Sequence, residues 1–337
     1  MRHHVIGATA LAVVSSGAAG EPFSFVVIGD TPYAEEDEAM LAEAVPAIKS
    51  VDYPFIVHIG DYKGGRGRCD AAADARFAAL LADLAPTPVF YTPGDNEWTD
   101  CDRHSNPETG ERYSALARLA LIRTTFFAEP VPAPDDLAYV RQDGQPENAA
   151  WSYAGVQFAT LHVVGTNNGR DWVTGDDASE AAAATDDRDA ANLAWLERAF
   201  ARAEENAASA VVVAMQADIT DVKGKTVGEA CTDAAPDAKG TCDGFAALRQ
   251  ALAARAGAFG GHVLLIHGDT APFTLNKTFP IEAPANLWRL NAAGDAGVGA
   301  TGFRYGVRDV TLVTIDPNAE TPFAAKGLTT DKKPTKK

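Results

Sequence analysis

Four hydrophobic runs in this chain give way to the same dipeptide. Phe25-Val26-Val27-Ile28 runs into Gly29-Asp30, Phe55 to Ile59 into Gly60-Asp61, and Val263 to His267 into Gly268-Asp269. The stretch Tyr91-Thr92-Pro93 leads into Gly94-Asp95-Asn96-Glu97-Trp98, which adds an amide and a second acid. Strands ending this way set four carboxylates along one sheet edge, where open α/β sheets build their sites. Two carboxylates about 4 Å apart repel by about 4 kcal/mol at an effective dielectric of ~20. Four together therefore call for a cation, and a hard divalent one suits oxygen ligands. The competing role for each Asp is to cap the helix that follows its strand.

The segments between these turns have helical spacing. Glu35 to Ser50 follows the first turn. Asp70 to Leu84, with Phe77, Leu80, Leu81 and Leu84, follows the second, and Tyr113 to Phe127, with Leu116, Leu119, Ala120 and Ile122, the third. Strand, turn and helix three times in succession argue for parallel βαβ units. The later chain reads as a hairpin about Ala154-Gly155, a helix over Ala190 to Ala203, and a buried strand Val211 to Gln216. Further strands are expected near Leu287 to Leu290 and Val310 to Ile315. The total is a mixed two-sheet α/β sandwich.

Residues 1–20 read as a secretory leader: Arg2, His3 and His4, an apolar run from Val5 to Val14, then small residues through Gly20. A first core strand or helix is the alternative. No later stretch is apolar for long enough to cross a membrane, so an exported protein, periplasmic or extracellular, is expected. Cys69, Cys101, Cys231 and Cys242 form an even set that suits an oxidising compartment. Of three connectivities the spacing favours Cys69 with Cys101 and Cys231 with Cys242. A cysteine metal site is disfavoured because no Cys-x-x-Cys pair exists. With no linker or repeat, residues 21–325 are expected to form one domain, followed by a basic, disordered tail over 326–337. A net charge of −17 argues against nucleic-acid binding.

The order of motifs resembles the calcineurin-like metallophosphoesterase superfamily. The likeness runs from Asp30 through Gly60-Asp61, Gly94-Asp95-Asn96-Glu97 and Val213-Ala214-Met215-Gln216 to Gly268-Asp269-Thr270-Ala271. It implies a four-layer α/β/β/α sandwich with two mixed β-sheets, one or two metal ions between the sheets, and hydrolysis of a small-molecule phosphoester. The ligand set departs from the family pattern in one direction, imidazole giving way to oxygen or to nothing. Pro32 stands where Asp-x-His has its histidine, Asp95-Asn96 where Asn-His is usual, Gln216 for a strand-end histidine, and Asp269-Thr270-Ala271 for His-x-His.

Carried over by position, the resemblance makes Asp61 the bridging carboxylate. Asp61, Asp95, Gln216 and Asp269 make up one metal site, and Asp30 with Asp61 a second, weak or empty one. Asp95 and Asn96 fall at the catalytic turn, Asn96 in place of the histidine that protonates the leaving group. An all-oxygen set favours Mg, Mn or Ca over Zn, with Fe allowed. Asn168, Arg188 and His267 are candidate substrate-binding residues. Their plainer roles are a turn asparagine, a solvated charge at the start of the Ala190 helix, and a core or supporting histidine. His104, past Cys101, is a candidate replacement acid. No Gly-x-Ser-x-Gly elbow or Gly-x-Gly-x-x-Gly loop occurs, and Lys223-Gly224-Lys225-Thr226 lacks the upstream glycine of a phosphate loop. The competing reading is a binding or scaffold protein that keeps the fold without the chemistry.

Overall fold

The computed structural model describes residues 20–107, 109–298 and 304–336. The expected leader therefore lies almost wholly outside the described residues.

Two mixed sheets face each other. The first has the order β14-β13-β1-β2-β3, built from β1 (Phe23–Ile28), β2 (Ile56–His58), β3 (Val89–Tyr91), β13 (Thr311–Ile315) and β14 (Phe323–Gly327). The strands β1, β2 and β3 run parallel, as the repeated strand, turn and helix pattern requires. The second sheet has the order β4-β5-β6-β7-β8-β10-β9. Its centre is β6 (Val156–Thr160), β7 (Ala210–Ala214), β8 (His262–His267) and β10 (Leu287–Asn291), all parallel. Its edges are β4 (Val140–Gln142) with β5 (Gln145–Tyr153), and β9 (Thr274–Asn276).

The strands are apolar on both faces because both faces are covered. In β1, Phe25 and Val27 point into the core between the sheets, while Val26 and Ile28 pack on Met40, Leu41, Ala44 and Ile48 of helix Glu35–Lys49. In β8, Leu264 and Ile266 face the other sheet, and Val263 and Leu265 face helices Ala178–Glu205 and Ala246–Ala258. The sheets meet through aromatic rings: Phe55 stands 5.1 Å from Phe25 and 4.9 Å from Phe158, and Phe90 stacks on Trp151 at 3.9 Å. Helix, sheet, sheet and helix make the four layers that the motif order implied.

Three sequence expectations need correction. The helix expected over Ala190 to Ala203 spans Ala178–Glu205, because Asp177 caps it through the N–H groups of Ser179 and Glu180 and the alanine-rich stretch that follows is strongly helix-forming. Arg188 is accordingly a mid-helix residue and not a helix-end charge. The closing stretch is not a free tail. The buried carboxylate of Asp309 accepts the backbone N–H groups and hydroxyls of Thr329 and Thr330, and Thr335 bridges Thr274 on an edge strand. Lysine composition hid these threonine contacts.

Candidate active site

The floor of the site is built from strand ends of both sheets. Asp30, Asp61 and Asp95 follow β1, β2 and β3; Gln216 and Asp269 follow β7 and β8. Asp30, Asp61 and Asp269 hold left-handed backbone, with φ of 52°, 59° and 68°. Such conformations cost on the order of 1–3 kcal/mol each and persist where surrounding structure enforces them. The acids do converge. The Asp269 N–H donates to Oδ1 of Asp30 at 2.9 Å, across the two sheets. A Cβ added at Gly165 would stand 2.5 Å from Oδ2 of Asp95 and 2.7 Å from Oδ1 of Asp269, so two carboxylates press on one bare Cα.

Amide groups fill the space between these acids. Asn96 donates from Nδ2 to Oδ2 of Asp61 at 2.6 Å and from its backbone N–H to Oδ1 at 3.1 Å. The Gly165 N–H can only donate, and it points at Oε1 of Gln216 at 2.6 Å. The Gln216 Nε2 is thereby turned onto Asp95 Oδ1 at 3.1 Å and Asp61 Oδ2 at 3.3 Å. In this arrangement the Gln216 oxygen is taken by the backbone, and its amide reaches two carboxylates as a donor. Tyr33 adds a hydroxyl, 2.8 Å from Asp61 Oδ2 and 3.3 Å from Asp30 Oδ1.

Burial and mutual charge push Asp30, Asp61 and Asp269 upward. Asp30 rises to about 8, first through burial and then through the charges of Asp295 and Asp95. Asp61 and Asp269 lie well above the usual carboxylate range, again by burial and then by Asp95 and their other acidic neighbours. Asp100 reaches about 7 through burial and the Asp95 charge, with Arg103 opposing. Thr166 Oγ1 lies 2.8 Å from both Asp95 Oδ2 and Asp100 Oδ1 while accepting from Arg103. One hydroxyl hydrogen serves one of the two, and Arg103 pairs with Asp100 at 2.5 Å.

A buried lattice holds this floor from behind. Glu97 accepts the N–H groups of Asp61 and Gly94 and the Tyr91 hydroxyl. Arg118 donates to the Glu97 carbonyl at 2.9 Å and pairs with buried Asp74, which also accepts from Tyr62. The Cys69–Cys101 disulfide lies beside the Asn96 and Glu97 carbonyls and ties the turn to helix Ala71–Leu84. The Cys231–Cys242 disulfide closes a polar loop, and both pairings are those the spacing favoured.

The proposed substrate-binding residues stand behind the cavity. Arg188 is 3% exposed, donates to the carbonyl and Oδ1 of Asn168, and lies over Trp98 at 5.0 Å. Asn168 uses its Nδ2 on Asp189 at 2.6 Å. Together they lock Thr166-Asn167-Asn168, three consecutive left-handed residues that carry Thr166 onto Asp95. His267 is wholly buried, its Nδ1 on the Gly268 carbonyl and its Nε2 3.7 Å from Asp218. His104 sits on the Gly65 carbonyl at 3.2 Å. Tertiary packing assigned all four to support.

A cavity of about 410 Å³ opens above the acids. Tyr33, Asp100, Thr166, Asp218 and Asp295 line it, and the sequence reading named none of them for the site. Asp295 had a signal, since Gly294-Asp295 repeats the dipeptide just past β10, and the Asp295 N–H donates to the Asp30 carbonyl at 3.0 Å. Burial and the Asp37 charge raise it to about 6. Asp218 lies two residues past Gln216. Burial works against its charge, but His267, Arg289 and the hydroxyls of Thr220 and Thr270 more than offset this and hold it down to about 2. Thr166 had no signal, because only the left-handed turn delivers it.

The donor set fits a hard divalent cation in chemistry: Asp30, Asp61 and Asp95 are buried and Asp269 half-buried, and no basic side chain among the described residues is in hydrogen-bond contact with them to balance their repulsion. In arrangement it is not ready-made. Among the described residues no three acidic, histidine or cysteine side chains are grouped to hold a metal. Donors on Gln216, Asn96 and Tyr33 occupy the carboxylates instead, and a cation would take their place.

No family model and no curated protein sequence matches the chain. Solved structures do. PhoD superposes with a TM-score of 0.55 at 14% identity, over 92% of this chain and 66% of that one. The chain thus spans just under two thirds of the PhoD chain. A dimetal phosphatase from Danio rerio superposes with a TM-score of 0.50 at 12% identity, over 87% of this chain and 95% of that one. Together with the four layers and two mixed sheets, these superpositions show that the chain has the calcineurin-like metallophosphoesterase fold.

Proposed function

We propose that the protein is a divalent-cation-dependent hydrolase of small-molecule phosphoesters, working in the cavity above Asp30, Asp61, Asp95 and Asp269. The observation that carries this reading is the convergence of four carboxylates, three of them buried and that of Asp269 half-buried, from strand ends of two facing sheets, under a cavity lined by basic side chains at its rim. Mg, Mn or Ca suits the oxygen donors better than Zn. A divalent cation held by these carboxylates would supply Lewis-acid polarisation of a phosphoryl oxygen and activation of water near neutral pH. The chain's own residues supply the rest. Glu97 fixes the backbone that carries Asp61 and Asp95; in the metal-free protein Asn96 donates to Asp61, and Gln216 donates to both Asp61 and Asp95. Arg103 lines the cavity edge, paired with Asp100 at 2.5 Å, and a phosphoester would compete with that carboxylate for its guanidinium.

Asn96 cannot hand a proton to a leaving group, and no histidine lines the cavity among the described residues. The activity therefore favours leaving groups that depart as stable anions. The two disulfides suit a periplasmic or extracellular setting. The test is hydrolysis of an aryl phosphate by chelator-treated protein, with and without added Mn²⁺, beside Asp61→Asn. Metal-dependent turnover lost in the variant supports the reading; turnover independent of metal and of Asp61 defeats it.

A further inference from the structure

The wall facing the acids has the opposite chemistry. The loop closed by Cys231–Cys242 and its flanks bring Lys223, Lys225 and Lys239 to the cavity, in a chain whose net charge is −17. Lys225 is spoken for, its Nζ 2.8 Å from Asp171 and 2.7 Å from the Gly240 carbonyl. Lys223 and Lys239 are exposed, with no such tie among the described residues. Beside them Trp172 lines the cavity with 42% of its surface open, whereas Trp98, Trp151 and Trp195 are buried. Its backbone is left-handed, φ 63°, and its N–H is held by the Ala238 carbonyl at 3.1 Å. A large ring kept open on a strained residue is suited to stacking on a ligand.

This wall is preformed. Ala235 donates to the Arg170 carbonyl at 2.8 Å and accepts from Val173, while Asn167 holds the Cys242 carbonyl at 3.2 Å and the Gly244 N–H at 2.9 Å. A fixed wall loses little freedom when a ligand arrives.

We infer that the Trp172, Lys223 and Lys239 wall is a second subsite, which takes the departing half of a phosphoanhydride carrying an aromatic ring, the chemistry of a nucleoside diphosphate. The inference rests on the hydrolase reading for the identity of the floor. The two halves agree: a departing nucleoside monophosphate needs no proton from the protein, its charge meets the lysines, and its base meets the indole. In the reaction water adds to the terminal phosphorus, the bond to the bridging oxygen breaks with its electron pair leaving on the nucleotide, and a proton passes to solvent.

The test separates binding from turnover. A non-hydrolysable α,β-methylene nucleoside diphosphate is titrated into the Mn²⁺-loaded protein and followed by tryptophan fluorescence and calorimetry. The wild type is expected to show saturable quenching and to bind this analogue more tightly than inorganic phosphate. Trp172→Ala is expected to weaken it about tenfold, as for loss of one base stack, and Lys223→Ala with Lys239→Ala to weaken it and flatten its salt dependence. Affinity no better than inorganic phosphate, or unchanged in these variants, overturns the subsite. Binding as expected without hydrolysis of the natural diphosphate would uphold the subsite and defeat the hydrolase reading.

Discussion

The backbone N–H of Gly165 donates to Oε1 of Gln216 at 2.6 Å, and this one bond decides what Gln216 does. With its oxygen occupied, the amide can present only N–H groups to Asp61 and Asp95. Gln216→Glu keeps the acceptor for Gly165 but replaces two donors with a fifth carboxylate. The metal-free variant is expected to lose about 2–4 kcal/mol of stability, read from urea unfolding. A divalent cation should recover more of that loss than it adds to the wild type.

The acidic floor makes the metal-free protein sensitive to alkali. Asp30 sits near 8 in the folded chain against 3.8 for an unperturbed carboxyl, so the folded state binds protons more tightly than the unfolded one. Stability is then greatest below about pH 4 as far as this group is concerned and falls as pH rises towards 8. Thermal unfolding of chelator-treated protein should show a midpoint that drops across this window. Added Mn²⁺ should flatten or reverse the trend.

The Arg118–Asp74 pair is expected to matter for the floor as well as for packing. Arg118→Ala leaves Asp74 buried without its cation and frees the Glu97 carbonyl. The loss expected is about 3–5 kcal/mol. A cycle with Asp74→Leu should return part of it, since removing both partners leaves no stranded charge.

The Cys69–Cys101 bond spans 32 residues of sequence, for which chain-entropy arguments give about 3–4 kcal/mol. Replacing both cysteines by alanine should cost that much by denaturant unfolding. It should also weaken cation binding, because the bond anchors the turn that carries Asp95, Asn96 and Glu97.

Much of this architecture was legible in the sequence. The Gly-Asp strand ends, the alternation with helices and the disulfide spacing follow from local rules, and the strands that carry Asp30, Asp61, Asp95 and Asp269 do meet. What the sequence hid depends on tertiary packing. Gln216 looked like a ligand until Gly165 fixed its orientation. Arg188 looked like an exposed clamp because the start of its helix, at Asp177, was missed. Thr166 reaches Asp95 only through a left-handed turn locked by Arg188 and Asn168. The lysine-rich end looked free because the buried Asp309 that holds it lies some twenty residues upstream.

Asp30, Asp61, Asp95 and Asp269 are proposed to hold a divalent cation together. The most direct test is calorimetric titration of Mn²⁺ into chelator-treated protein at pH 7, in two buffers of different protonation enthalpy, beside Asp61→Asn. Stoichiometric binding accompanied by proton release is expected, since raised carboxyls must ionise to bind, with affinity reduced at least about tenfold in the variant. No saturable heat in the wild type, or binding that neither releases protons nor depends on Asp61, would contradict the proposal.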